Sequence, residues 1–296
     1  MRRKPNKLNQ LSKITIVGVG LIGGSFAKGV KQAGLSKMVM GYGKNPENLQ
    51  LGVDLGVIDC FSTDIAEAVK ESDLIVLGVP LGAMQSVLEE MKPYIKSTAI
   101  ITDVGSAKMS VIEAVEAAFG SIPPRFVAGH PIAGKEKSGV AAATADLFID
   151  HRVILTPTKE TDPSALQTVT DLWSALGANV ISMEPGYHDE VLAATSHLPH
   201  LLAFSLVEML NEHPELGNVF QYTAGGFRDF TRIASSDPVM WRDISVSNSK
   251  AIAKWLKSYQ QSLAELIIKV ENQDSEALYA LFEEARQARD THIVNK

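Results

Sequence analysis

The stretch that most constrains this chain is ITIVGVGLIGGSFA, residues 14–27, in which a short β-branched run passes directly into a glycine loop and then into an apolar-periodic helix. Gly18, Gly20 and Gly23 stand in the spacing GxGxxG between the strand and the helix. The first glycine permits a tight turn, the second lets the backbone approach a pyrophosphate, and the third lets the helix pack on the strand, with the helix N-terminus facing the anion. Alone the pattern is common. Between a strand and a helix it predicts a dinucleotide site, with Leu21 and Ile22 in the loop.

The segments that follow extend this reading. Residues 38–42 form a second strand, residues 73–80 a buried one ending at Val79 and Pro80 on the crevice side, and residues 99–104 another that leads into Gly105, Ser106 and a helix. Strands alternating with helices give a parallel doubly wound, Rossmann-type sheet. Residues 153–156 and 179–182 bracket a helical pattern and are expected to extend that sheet. Beyond Pro185 and Gly186 only helical periodicity recurs. The expected fold is therefore α/β, an N-terminal Rossmann-type doubly wound sheet over residues 1–184 followed by an all-helical substrate and dimerisation domain over residues 185–296.

At the end of the second strand an NAD site usually places Asp or Glu to hold the ribose 2′-hydroxyl, and here Gly43 stands there with Lys44 next to it. With no acidic side chain to repel a 2′-phosphate and a cation beside it, the cofactor is NAD or NADP; Lys44 either reads the phosphate or points into water. Ser106 either caps its helix or reaches a ligand.

Composition excludes several classes. A net charge of -6 and a basic cluster confined to the N-terminal residues give no footprint for nucleic acid. No long uninterrupted apolar segment or signal-peptide pattern stands out, so no membrane is expected and the location is cytoplasmic. The single Cys60 excludes an internal disulfide and fits a reducing compartment. His197-x-x-His200, with His188 nearby, has metal-ligand residue types but lacks the Glu of HExxH and any cysteine, so no metal is expected.

Three stretches carry chemistry-bearing side chains. Residues 126–139 are an apolar run that stops at His130-Pro131, which presents the imidazole at a strand end as either a structural or a functional group. Residues 195–200 place Pro199 between His197 and His200 in a helical pattern, where proline costs about 3 kcal/mol and kinks the helix. Residues 225–241 place Arg228, Arg232 and Trp241 near one another; Arg232 suits a substrate carboxylate, while Arg228 suits an ion pair with Asp229 or Asp243.

Together GVGLIGGS (18–25), DVGSAK (103–108), GHPIAGKEKSG (129–139), TSHLPH (195–200) and GFRDFTRIASSDPVMWRDI (226–244) resemble the prephenate dehydrogenase family, which includes arogenate and cyclohexadienyl dehydrogenases. The likeness runs from about Ile14 to the end of the chain. It implies oxidative decarboxylation of prephenate or arogenate with hydride transfer to NAD(P)+, in tyrosine biosynthesis, by a homodimer. It also implies roles. His130 accepts the substrate hydroxyl proton, and Ser106 bonds the same hydroxyl or orients the imidazole. Arg232, His197 and His200 hold carboxylates, Glu136 gates the site, and Trp241 either reaches the neighbouring subunit's site or fills a helix core. Relatives are fused to other shikimate-pathway enzymes, so a longer polypeptide is one expectation.

Two other readings share the layout. A 3-hydroxyacid or 6-phosphogluconate type dehydrogenase would use a lysine on the first helix of the second domain, and residues 186–227 contain none. A non-catalytic NAD(P) sensor would leave the histidine and arginine clusters without a purpose.

Overall fold

The computed structural model describes residues 10–134 and 137–294. By internal contacts the chain divides into two compact units, Met1–Ser249 and Lys250–Lys296.

The first unit opens with β1 (Ile14–Val17), α1 (Leu21–Gln32), β2 (Val39–Tyr42), α2 (Pro46–Asp54), β3 (Cys60–Ser62), α3 (Ile65–Val69), β4 (Leu74–Leu77), α4 (Met84–Met91), β5 (Ile100–Asp103), α5 (Met109–Phe119) and β6 (Phe126–Val127). These strands pair in parallel as one sheet, in the order β3-β2-β1-β4-β5-β6. β1, β2, β4 and β5 are buried along their whole length, as expected of strands covered by helices on both faces. The order reverses direction between β1 and β4, which opens a crevice at their carboxyl ends. Local chemistry starts the helices: Asn45 caps α2 ahead of Pro46, and Asp64 caps α3.

The chain then leaves this sheet. β7 (Gly129–Ile132), β8 (Arg152–Leu155), α6 (Pro163–Ala175) and β9 (Asn179–Ser182) follow, and the three strands form their own sheet, with β7 antiparallel to β8 and β8 parallel to β9. Residues 153–156 and 179–182 therefore do not extend the main sheet as expected. The reason lies at the crossing from β6 to β7. Gly129 N donates to Asp103 Oδ1 at 3.0 Å and Gly129 O accepts from Lys108 Nζ at 2.7 Å, so side chains satisfy the buried backbone where sheet pairing stops. His130 accordingly lies inside β7, opposite Ile154, rather than at the end of a strand. Pro131 is tolerated because β7 is an edge strand. Beneath, Trp173 of α6 is fully buried between Phe26 and Phe148, with ring centroids 4.8 and 4.9 Å away.

Helices complete the unit: α7 (Pro185–Leu192), α8 (Leu198–Asn211), α9 (Gly225–Thr231) and α10 (Pro238–Ser247). A π-helical turn, Ala193–His197, joins α7 to α8. The expected proline kink thus takes the form of a widened turn ahead of Pro199, which has no N–H to offer the preceding turn. Residues Pro185–Asn211 run as one helix of 27 residues whose apolar window has mean hydropathy 1.2, long and apolar enough by length and composition to cross a membrane, contrary to the expectation from sequence. Only 22% of that window is buried, whereas the polar His188, Asp189 and His197 of the helix are buried.

α11 (Ser249–Glu271) and α12 (Ser275–Arg289) account for the second unit, with Asp274 capping α12. α11 exposes Leu256, Tyr259, Leu263, Ile267 and Val270, a row at helical spacing, and α12 exposes Tyr279 and Phe282.

Candidate active site

The nucleotide loop is a shape made by glycine. Gly18 has φ +97°, and a Cβ there would stand 2.6 Å from the Gly78 carbonyl carbon and oxygen. A Cβ on Gly23 would stand 2.6 Å from Gly18 O and 2.8 Å from Ile16 Cγ2. At Gly20 the same atom would meet nothing within 4 Å. The first and third glycines are thus consumed by packing of loop on β4 and helix on strand, while the second faces open space at the start of α1. This arrangement fits a dinucleotide pyrophosphate. Leu21 and Ile22 open α1, half-buried; Val79 is half-buried against the core and Pro80 is exposed beyond β4. Gly43 is half-buried after β2 and Lys44 beside it is exposed.

Beyond the carboxyl end of β5 is a cluster of buried polar groups. His130 is 8% exposed, and its Nδ1 lies 2.9 Å from His188 Nε2. His188, fully buried on α7, turns its Nδ1 to Asp189 Oδ1 at 2.8 Å. The Asp189 carboxylate accepts in addition from Lys108 N at 2.8 Å and Met109 N at 2.9 Å. The cap of α5 is therefore a carboxylate from 81 residues away, not the hydroxyl of Ser106, which is half-buried in the same loop. Lys108 is fully buried; its ammonium pairs with Asp103, whose other oxygen holds Gly129 N.

Burial, followed by the charges of His188, Lys108 and His197, holds the His130 imidazole well below its ordinary 6.5, so it is neutral at neutral pH. Burial pushes the Asp189 carboxyl up, but the hydrogen bonds from His188, Lys108 and Met109 outweigh it and leave the group below the usual carboxylate range. Burial lowers Lys108 as well, against the opposing charge and hydrogen bond of Asp103.

His197, 1% exposed in the π turn, is pushed down to about 4 by burial. Its Nδ1 accepts from Asn248 Nδ2 at 3.3 Å, and the same amide nitrogen donates to the Asp189 carbonyl at 2.8 Å. The neutral ring then carries its proton on Nε2, a buried N–H with no partner among the described residues. The indole N–H of Trp241, 6.1 Å away between ring centroids, is a second such donor. Two neighbouring buried donors of this kind could serve an acceptor-bearing ligand. His197 was expected to help hold a carboxylate, and at neutral pH it can do so only as a neutral donor.

His200 stacks on Trp241 with centroids 3.9 Å apart and gives its Nδ1–H to Ser196 O at 2.9 Å. Burial lowers its pKa against that carbonyl, and the charge of Arg232 adds to the lowering. Arg232 itself is exposed at the start of the turn Arg232–Ser235, which packs on α8. Arg228 makes no ion pair of the expected kind: its guanidinium donates to Thr223 O, and Asp243 binds Arg242 and, at 3.1 Å, Gly82 N beyond β4. Glu136 lies outside the described residues. Of the groups that matter here, sequence reasoning missed Lys108, Asp189 and Asn248, and took His188 only as a possible metal ligand. The adjacent His188-Asp189 pair was visible, but its partners are remote in the chain.

Comparisons with known proteins bear on the same two regions. The family model "Prephenate dehydrogenase, nucleotide-binding domain" matches residues 26–182, and "Prephenate dehydrogenase, dimerization domain" matches residues 184–284. The cyclohexadienyl dehydrogenase of Zymomonas mobilis is 37% identical over 93% of this chain and 94% of its own length. The prephenate dehydrogenase of Bacillus subtilis is 37% identical over 96% of this chain and 77% of its own. The crystal structure of prephenate dehydrogenase from Aquifex aeolicus, in complex with hydroxyphenyl propionate and NAD+, superposes with a TM-score of 0.89 at 38% identity, covering 96% of this chain and 99% of that one. With a nucleotide-binding domain and a dimerisation domain matched in order across nearly its whole length, this chain belongs to the prephenate dehydrogenase family.

Proposed function

We propose that the chain catalyses the NAD(P)+-dependent oxidative decarboxylation of prephenate, or of its amino analogue arogenate, to 4-hydroxyphenylpyruvate or tyrosine. The observation that carries this reading is the buried neutral imidazole of His130, next to Gly129, which Asp103 holds at the carboxyl end of β5, on the same edge of the parallel sheet as the glycine loop after β1. Gly18, Gly20, Leu21, Ile22 and Gly23 would hold the pyrophosphate, with Gly43, Lys44, Val79 and Pro80 along the rest of the cofactor. When bound, the nicotinamide supplies the acceptor for the substrate's hydride.

As the carbinol carbon loses hydride, its hydroxyl becomes strongly acidic. The neutral His130 ring takes that proton, leaving a dienone carbonyl. The bond from the quaternary ring carbon to its carboxylate then breaks, CO2 departs, and the electron pair aromatises the ring. His130 returns the proton to the phenolate oxygen, so the chain is unchanged. Ser106, in the loop before α5, would bond the same hydroxyl. The buried N–H groups of His197 and Trp241 would meet the side-chain keto or carboxylate oxygens, with Arg232 and His200 at the outer edge. The ring carboxylate, by contrast, would be held loosely, because tight ion pairing of the leaving group would stabilise the ground state.

The division at residue 184, with a homodimer formed through the helical part, is part of the same reading. A helix that turns its polar residues inward leaves an apolar outer face, and the exposed rows of α11 and α12 ask for burial in the same way. A second copy would cover them. The half-buried Cys60 thiol, pushed up by burial, fits a packing role in a cytoplasmic enzyme.

The test follows absorbance of the reduced nicotinamide with prephenate and arogenate, each with NAD+ and NADP+. Turnover of at least one substrate to an aromatic product is expected. No turnover of either, with bound nucleotide verified, would sink the reading. Light scattering that returned the monomer mass of 32.0 kDa would remove the dimer.

A further inference from the structure

The hydrogen bonds running inward from His130 form a chain whose donors and acceptors are determined from its far end. Asp189 receives two backbone N–H groups, from Lys108 and Met109, at the N-terminus of α5, where the helix dipole also favours negative charge. A carboxylate so placed is an acceptor only, so the third contact, His188 Nδ1, must donate. A neutral His188 then has a bare Nε2, which can only accept. The Nδ1 of His130, 2.9 Å away, must therefore be the donor. That leaves His130 neutral with its proton on Nδ1 and a bare Nε2.

We infer that His188 and Asp189 are positioning residues that lock His130 in the one tautomer whose Nε2 can accept the substrate's hydroxyl proton. In the other tautomer Nε2 would carry a hydrogen and the ring could not act as base. A doubly protonated His188 would force that wrong tautomer, because its Nε2 would donate to His130 Nδ1. When His130 takes the proton, the new charge is stabilised through His188 by the ionised Asp189, as buried carboxylates do for other histidine bases. The relay also explains why an acidic residue of α7 caps α5: one carboxylate holds two helices together and sets the base at once. The charged and titratable groups around His130 are His188 from α7, Lys108 at the start of α5 and His197 from the π turn; those around Asp189 are His188, His197 and the Lys108 ammonium.

The catalytic purpose rests on the reading of His130 as proton acceptor, but the tautomer does not, and the experiment separates the two. Imidazole 15N NMR of the ligand-free enzyme near pH 7.5 should find His130 protonated on Nδ1 and bare on Nε2. With its amide nitrogen turned to His188, Asp189→Asn would reverse the two histidine bonds at the cost of the one from Lys108 N, and should lower kcat by about 10²-fold or more. It should also move the acidic limb of the pH profile to lower pH, because the charge that stabilises the imidazolium is gone, while the nucleotide Kd stays unchanged. His188→Gln keeps an oxygen that accepts from Nδ1 and should remain within about tenfold of wild type. His188→Leu, which offers none, should fall as far as Asp189→Asn. A proton on Nε2 of wild-type His130 overturns the inference. So does an equal loss in His188→Gln and His188→Leu, or an Asp189→Asn enzyme with wild-type turnover and an unmoved limb. An error in the catalytic reading would surface separately, as an active His130→Asn enzyme.

Discussion

The glycine loop after β1 and the histidine cluster beyond β5 stand at the same carboxyl edge of the parallel sheet and are built by opposite means. The loop works by shape. Its contacts are backbone on backbone within a few residues, closed by Gly78 of the adjoining strand, and it carries no titratable side chain. The cluster is a set of hydrogen-bonded titratable groups, and its members come from remote places: His130 and His188 are 58 residues apart, Lys108 and Asp189 are 81, and His197 and Asn248 are 51. Nucleotide binding should therefore be indifferent to pH yet intolerant of a single methyl group. The chemistry should tolerate small changes of volume yet depend on every proton.

The largest expected effect divides the two regions cleanly. His130→Asn should lower kcat by about 10²- to 10⁴-fold while the nucleotide Kd, read by calorimetry, stays at the wild-type value. Near-wild-type turnover would break the assignment. In the wild type, kcat/KM should fall on acidification only well below pH 6.5, because burial has already lowered the ring's pKa in the free enzyme.

Stability should carry the same signature. His197 has a pKa of about 4 when folded against 6.5 for the free group, so the unfolded chain takes up its proton first as pH falls. Its contribution is complete above pH 6.5, is lost progressively as pH drops toward 4, and amounts at most to about 3 kcal/mol. Urea unfolding at pH 7 and pH 4.5 should show a smaller drop for His197→Gln than for wild type. Equal drops would mean that the buried ring is not the group being charged.

A smaller effect tests the other region. Gly18→Ala forces a side chain into φ +97° and a Cβ to 2.6 Å from the Gly78 carbonyl, strain of about 1–3 kcal/mol. Nucleotide affinity should drop about tenfold or more, with the acidic limb of the pH profile unmoved. If the limb moves, the two regions are not independent.

The smallest effect concerns which nucleotide the loop receives. A Cβ on Gly43 would meet only Leu49, at 3.5 Å, so Gly43→Asp can be accommodated and should raise selectivity for NAD over NADP by about tenfold, ~1.4 kcal/mol. The wild type should use NADP at least comparably with NAD. A wild-type preference for NAD of about a hundredfold, ~2.7 kcal/mol, would show that other residues read the 2′ position.

By itself the sequence determined the parts whose physics is local. GxGxxG between a β-branched run and an amphipathic helix has one economical solution, since turn, close approach and helix packing each need the absent Cβ within six residues. The strands β1, β2, β4 and β5 and the helical tail were legible in the same way, from β-branched apolar runs and helical periodicity. What only the tertiary structure decided are the connections that pass between distant segments. Nothing near Gly129 announces that Asp103 and Lys108 will satisfy its backbone and send the chain into a second sheet, or that Asp189 will cap α5 in place of Ser106. Nor could spacing reveal that His130 and His188 touch, because a buried polar group is paired with whatever the fold brings within hydrogen-bond reach, and that reach is set by packing rather than by separation along the chain.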